Sequence, residues 1–350
     1  HEIVHPPKAS CIALISRIKI ISNMDIGERR LPQDARIELK IGDSLIDVRV
    51  ATLPTLYGEC VVMRILDRTA VRIELEHLGL GPHTHKKVIN VINKPNGIML
   101  VTGPTGSGKT TTLYACLNVL NTPEVKIITT EDPVELQIER LIQCQVHEEV
   151  GLTFAACLRS ILRQDPDIVM VGEIRDLETA QIAIEASLTG HLVLSTLHTN
   201  SAPETITRLL DMDVEPFLIT ASLEAVLAQR LVRVLCKVCR ERYVPEQEEL
   251  DELSVPPAYR KDPKFALYRP KGCAACDYVG YMGRIGLYEI MLVDESIREM
   301  ILERAMAHEL RRHARKKQGM VVLREEGLIK CVQGVTSPAE VIAKTDKYED

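Results

Sequence analysis

The chain is predicted to be an α/β protein whose main part is a parallel, helix-covered sheet, with a smaller α/β domain ahead of it. Three observations predict this. A buried apolar run, Gly97-Ile-Met-Leu-Val-Thr102, leads into a glycine-rich loop at 103–110, after which Leu113, Leu117 and Leu120 share one helical face. Strand candidates at 125–130, 168–171 and 191–197 alternate with helical stretches, the order that parallel strands with crossover helices require. Residues 35–66 alternate with the period of two that strands show.

In order along the chain, 12–24 carries a helical spacing of apolar residues. Strands are expected around Ile37, Leu39 and Ile41, then at 45–50 and 61–66, and these pieces make the small domain, residues 1–75. Leu78-Gly-Leu-Gly-Pro82 breaks the chain before a helix reaching about Asn93, so 76–96 reads as linker and helix. The core is expected over 97–235. Its best-marked helix lies between the last two strands, with Asp176 as N-cap, Ile182, Ala183 and Ala186 inside, and Gly190 as the stop. Past about residue 230 the pattern turns to short cysteine-bearing pieces, a polar stretch at 246–262 and charged helices at 296–341. This gives a cysteine module at 236–285 and a C-terminal helical part at 286–350.

Composition narrows the class. With 350 residues the chain has room for about two domains, and 45% hydrophobic with 26% charged residues is the balance of a folded globular protein. A formal net charge of -6 and 3% aromatic residues without Trp weigh against nucleic acid as the partner, since both phosphate neutralisation and base stacking are poorly served. No stretch approaches the roughly 20 apolar residues of a membrane span, and no signal peptide is visible, so a cytoplasmic location is expected. His1 is not an initiator methionine and the chain opens in mid-pattern. A piece of a longer protein, with a further domain ahead, is expected.

The loop is Gly103, Pro104, Thr105, Gly106, Ser107, Gly108, Lys109 and Thr110, with Thr111 behind it, a full G-x-x-x-x-G-K-[ST]. Its glycines let the backbone turn and aim N–H groups inward at the positive end of a helix, where phosphate oxygens are held. Lys109 would reach the β- and γ-phosphates and Thr110 would ligate Mg²⁺, so ATP or GTP is the expected ligand. Such a site needs acids for metal and water. Two strand ends supply them: Glu131, Asp132 and Glu135 in one, and Glu173 in the other, where Gly172 stands in place of the usual terminal Asp. His191 and His198 flank the strand between them, and His198 is a candidate γ-phosphate sensor. Arg49 and Arg64 in the first domain, and Arg159 and Arg163 one helical turn apart, could close the site.

Of ten cysteines, Cys236-x-x-Cys239 and Cys273-x-x-Cys276 have the spacing of tetrahedral Zn²⁺ ligands, although the gap between the pairs exceeds that of a short ribbon. The other six are scattered singly and read as small core or surface residues.

Across essentially its whole length the string of motifs resembles the bacterial secretion and pilus-assembly ATPases, the type II secretion motor and the type IV pilus extension motor. The resemblance is carried by Ser16-Arg-Ile-Lys19, Arg29-Arg-Leu-Pro-Gln-Asp34, the loop, Glu131-Asp-Pro-Val-Glu135, Leu162-Arg-Gln-Asp-Pro-Asp167, Val171-Gly-Glu-Ile-Arg-Asp176 and Thr189-Gly-His-Leu-Val193. Ser195-Thr-Leu-His-Thr-Asn200 and Gln229-Arg-Leu-Val232 extend it. It implies a RecA-like core preceded by a small PAS-like domain, with ATP and Mg²⁺ as cofactors. The run 131–135 would be the family's Asp box, Glu173 its Walker B glutamate, and His191 and His198 its His box. Arg49 and Arg64 would face the nucleotide, with Arg159, Arg163, Arg175 and Arg208 near phosphates or subunit joints. Ala35 replaces the glycine usual after Asp34, which affects one turn. The resemblance also implies structural Zn²⁺ on the four cysteines, since the extension and secretion motors carry such an insertion and retraction motors generally lack it. A homohexamer is expected, in which ATP pulls the small domain and its arginines across a cleft to drive an inner-membrane platform protein and the cytoplasmic domains of its machine. The alternatives are a RecA-like nucleic-acid motor, which would show DNA-stimulated hydrolysis, and a small-molecule kinase, which would leave the arginine, histidine and cysteine segments without a role.

Overall fold

A computed structural model describes residues 3–41, 44–67, 74–262 and 265–347. The chain divides into two compact units, His1–Arg72 and Ile73–Asp350.

In the first unit a helix, α1 (Lys8–Ile21), precedes three antiparallel strands, β1 (Gln33–Ile41), β2 (Ser44–Thr55) and β3 (Gly58–Asp67), in the order β1-β2-β3. The helix starts earlier than its apolar spacing indicates and stops sooner, because Asn23 just beyond it takes a left-handed φ of 54°. Ile37, Val48 and Val50 alternate onto the inner face, where they meet Met24 with Ile18, Leu39 and Ile46 against them. Lys19 is 1% exposed; its Nζ donates to the Glu28 carbonyl at 2.7 Å and pairs with Glu59, the condition on which an ammonium is tolerated inside.

The second unit carries, in chain order, α2 (Pro82–Ile92), β4 (Gly97–Thr102), α3 (Lys109–Leu120), β5 (Ile127–Glu131), β6 (Ile142–Gln145), α4 (Phe154–Ile161), β7 (Ile168–Val171), α5 (Leu177–Leu188) and β8 (Leu192–Leu197). There follow α6 (Ala202–Asp211), α7 (Pro216–Ser222), β9 (Leu223–Leu235), β10 (Glu241–Tyr243), α8 (Gln247–Glu252), α9 (Pro257–Arg260), β11 (Leu267–Arg269) and β12 (Tyr281–Leu292). The last helices are α10 (Glu295–Leu302), α11 (Ala307–Gln318), α12 (Leu323–Val332) and α13 (Pro338–Lys344).

Seven of these strands form one sheet in the order β12-β9-β4-β8-β7-β5-β6. All neighbours are parallel except β12, which runs against β9. Both faces are covered, as parallel strands require. On β4, Met99 and Val101 pack with Val88 of α2 and Leu113, Tyr114 and Leu117 of α3, while Ile98 and Leu100 face Ala183 of α5 and Leu209 of α6 in the other core. Asp176 caps α5 by accepting from the Thr179 N–H at 2.8 Å, and Gly190 follows it at a φ of 107°.

The sheet is larger than the expected parallel one. Its two longest strands, β9 and β12, lie where the sequence turns to cysteine-bearing pieces, and β12 adds an antiparallel edge. Leu223 to Val232 gives no alternation because almost every residue of β9 there is buried, on whichever face it points. Between these strands the described residues of the cysteine-bearing insertion build a two-stranded ribbon, β10 with β11, and short helices.

Candidate functional site

The carboxyl ends of β4, β5, β7 and β8 lie on one side of the sheet, the side where ligands bind in open α/β folds. From β4 the chain enters the loop with Gly103, Gly106 and Gly108 at φ of 149°, 77° and 89°, a conformation side chains resist. A Cβ on Gly103 would stand 2.5 Å from the Gln229 carbonyl oxygen and 2.6 Å from Ser107 Oγ, so the loop is folded tightly onto β9. Lys109 opens α3. Its Nζ donates to the Gly103 carbonyl at 2.9 Å and the Pro104 carbonyl at 3.3 Å, and lies 3.5 Å from His198 Nδ1. Burial lowers its pKa, with Glu173 opposing and Arg230 adding to the effect. Ser107 Oγ is buried without a hydrogen-bond partner among the described residues, and the Thr110 and Thr111 side chains are exposed beside it. A lysine resting on carbonyl oxygens, an orphan hydroxyl and a helix N-terminus form a donor set that fits a phosphate chain.

Glu173 follows β7 and completes a line of contacts. His198, just past β8, brings Nε2 to 3.2 Å from Glu173 Oε2, and Arg175 pairs with the other oxygen. Burial works to raise the Glu173 pKa, but the hydrogen bond and charge of Arg175, with His198 behind them, hold it below the ordinary carboxylate range. Arg175 also reaches Asp132 at 3.5 Å and Glu148 at 3.7 Å, and its guanidinium carbon lies 5.8 Å from the Phe154 ring centre, so it gathers the acidic ends of β5 and β7. Glu131, at 2% exposure, is enclosed: Tyr114 Oη donates to it, as do Thr129 Oγ1 at 2.5 Å and Gln143 Nε2 at 3.0 Å. Glu135 is half-buried, and its backbone N–H lies 3.3 Å from Tyr114 Oη.

Other candidates of the second unit are not brought to the loop. His191 stands at the beginning of β8, with Nδ1 2.8 Å from the Ala186 carbonyl oxygen and 3.2 Å from Thr189 Oγ1. Six strand residues, about 20 Å, separate it from His198. Within one chain it therefore clasps the end of α5 and stands away from the loop. Arg159 pairs with Glu178 at 2.6 Å, and Arg163 donates to the Arg159 carbonyl at 2.9 Å and to Ser160 Oγ at 3.1 Å. Arg208 is exposed on α6. Arg49 and Arg64 are direct cross-strand neighbours on β2 and β3 of the first unit. Four residues that sequence reasoning gave no role, Tyr114, Gln143, Gln229 and Arg230, make much of the site's hydrogen bonding. The last two lie in the run Gln229-Arg-Leu-Val232 that extends the family resemblance, a polar pair in the middle of an apolar stretch.

The four clustered cysteines sit together between the end of β9 and the start of β12. Sγ separations are 3.9 Å for Cys236 and Cys273, 3.8 Å for Cys239 and Cys276, and 3.8 Å for Cys273 and Cys276. All four sulfurs fall within 4.8 Å of one another. Thiolates at the corners of a tetrahedron around Zn²⁺ stand about 3.8 Å apart, so the donor set fits that metal. At Cys276 burial opposes ionisation, but the N–H groups of Cys273 and Gly280, at 3.3 and 3.2 Å from its sulfur, outweigh it and bring the thiol down to about 7.

A family model described as Type II/IV secretion system protein matches residues 1–343. Type II secretion system ATPase E of Vibrio cholerae is 51% identical over 344 residues, covering 98% of this chain and 67% of its own length. Type IV pilus assembly ATPase PilB of Myxococcus xanthus is 49% identical over 348 residues, covering 99% and 61%. The crystal structure of the pilus retraction motor PilT with bound ADP superposes with a TM-score of 0.65 at 26% identity, covering 91% of this chain and 78% of that one. The ATPase DotB of Legionella pneumophila, at 22% identity and a TM-score of 0.68 over 97% and 84%, shares the fold. The chain thus spans about two thirds of the length of its secretion relative. The nucleic-acid alternative finds no support among these proteins.

Proposed function

Since the chain belongs to the Type II/IV secretion system protein family and is an ATP-hydrolysing enzyme, we propose that it is the ring-forming motor of a type II secretion or type IV pilus extension machine. The observation that carries the reading is the unbroken line Lys109, His198, Glu173, Arg175 at the carboxyl edge of the sheet. In this reading Lys109 leaves its resting carbonyl oxygens for the phosphates, and the loop amides with Ser107 hold the remaining oxygens. Glu173, kept ionised chiefly by Arg175, orients the attacking water and takes its proton. His198, in contact with both Lys109 and Glu173, senses whether the γ-phosphate is present. Glu131 holds the end of β5 through Tyr114, and Glu135 is the assisting carboxylate. Mg²⁺ on Thr110 and Glu173 supplies charge neutralisation at the β- and γ-phosphates when bound.

The four cysteines would hold Zn²⁺ in a structural site, because four thiolates leave no position open for chemistry. We place the working enzyme as a homohexamer in the cytoplasm against the inner membrane, engaging a platform protein there and coupling hydrolysis to movement of its small unit with Arg49 and Arg64. Among the described residues no helix is long and apolar enough to cross a membrane, which accords with a peripheral position.

The test is Lys109→Ala. Turnover should fall by about a hundredfold or more, with thermal unfolding and metal content unchanged; wild-type turnover in that variant would refute the site.

A further inference from the structure

Two consecutive residues of β9 grip the reacting apparatus from beneath. Gln229 is 1% exposed and Arg230 6%. As strand neighbours they project to opposite faces of the sheet. On one face Gln229 Nε2 donates to the Ser107 carbonyl at 2.7 Å and its Oε1 accepts from Thr112 Oγ1 at 2.7 Å, tying the loop to the first turn of α3. On the other, Arg230 Nη2 donates to the Asn200 carbonyl at 3.0 Å and to Asn200 Oδ1 at 3.1 Å, while Nη1 donates to the Gln229 carbonyl at 3.0 Å. Asn200 lies two residues beyond His198. Between them the Thr199 N–H donates to Thr102 Oγ1 at 2.9 Å, so the segment is also pinned to the end of β4. Buried amide and guanidinium groups are costly unless paired, and a well-paired set holds one geometry.

We propose that Gln229 and Arg230 are positioning residues for ATP hydrolysis: Gln229 holds the phosphate loop in the form that receives nucleotide, and Arg230 fixes where His198 stands relative to that loop. The inference rests on the assigned phosphate site but adds a division of labour. A loop support acts on bound nucleotide in ground and transition states alike, so its loss raises KM; a support for the γ-phosphate sensor matters during the chemical step, so its loss lowers kcat.

The experiment measures steady-state ATP hydrolysis and the Kd of a fluorescent ADP analogue on the full chain. Gln229→Met keeps length and removes both hydrogen bonds. It should raise KM and the ADP Kd about tenfold with kcat within about twofold. Thr112→Val should shift KM the same way by less, and the double variant should be no worse than Gln229→Met alone, since the two share one bond. Arg230→Lys should lower kcat about tenfold and leave ADP binding within about twofold. Asn200→Ala, at an exposed position, should lower kcat by less. If either β9 variant fails to fold, Thr112→Val and Asn200→Ala decide the matter. Unchanged kinetics in those two, or kcat and KM moving together in every folded variant in step with lost thermal stability, would overturn the proposal. Lys109→Ala run alongside separates the cases: lost turnover there with unchanged positioning variants sinks this inference alone.

Discussion

Glu289 on β12 is fully buried, and its Oε1 accepts from the Ala202 N–H at 2.8 Å at the start of α6. Burial pushes its carboxyl up from 4.5 to about 7, against the pull of the Ala202 amide and of Arg311. A carboxyl raised in the folded state binds its proton more tightly there than in the unfolded chain. Its linkage therefore lowers stability as pH rises from about 4.5 to about 7, and the loss is complete above that window. The penalty amounts to as much as about 3 kcal/mol. Glu289→Gln should accordingly raise the unfolding temperature at pH 8, with the gap closing at pH 5; a variant that tracks wild type at both pH values would show that this carboxyl does not titrate in the window. Residues of this kind are hard to read from a sequence. Lys109, Glu173 and His198 can be picked out because each sits in a short motif at a strand end. Tyr114, Gln229, Arg230 and Glu289 act through partners far along the chain or on another strand, and no spacing rule connects them.

Among elements, those with a local signal are legible: β4 by its apolar run, α5 by Asp176 and Gly190, the loop by its glycines. β9 and β12 are not, because a strand buried on both faces loses alternation, and their pairing spans the whole cysteine-bearing insertion. The same pair explains why the cysteines come together. Cys236 follows β9 directly, and its N–H donates to the Gly280 carbonyl at 3.0 Å, just ahead of β12. Replacing Cys236 and Cys239 by Ser should release about one metal equivalent per chain on elemental analysis. A wild-type protein that carries no zinc after gentle purification would remove the assignment.

For the whole molecule, the chain divides into two compact units after Arg72, where the hydrophobic period changes from strand alternation to the α/β pattern. What sequence spacing does not carry is how one unit responds to nucleotide held by the other. If hydrolysis is converted into displacement, solution scattering under oligomer-forming conditions should change when a non-hydrolysable ATP analogue is added; superimposable curves would rule that conversion out. The position of the cysteines bears on assembly of the fold itself. Cys236 and Cys239 leave β9 as Cys273 and Cys276 approach β12, so a filled thiolate knot would cinch the insertion at its neck and deliver the outermost strand to its partner as though the intervening stretch were a tight hairpin. Beyond the neck the insertion stays keyed to the rest of the protein, because Leu253, Val255 and Leu267 enter the main core beside Leu323 and Val341, and refolding with a chelator present should slow the docking of that strand.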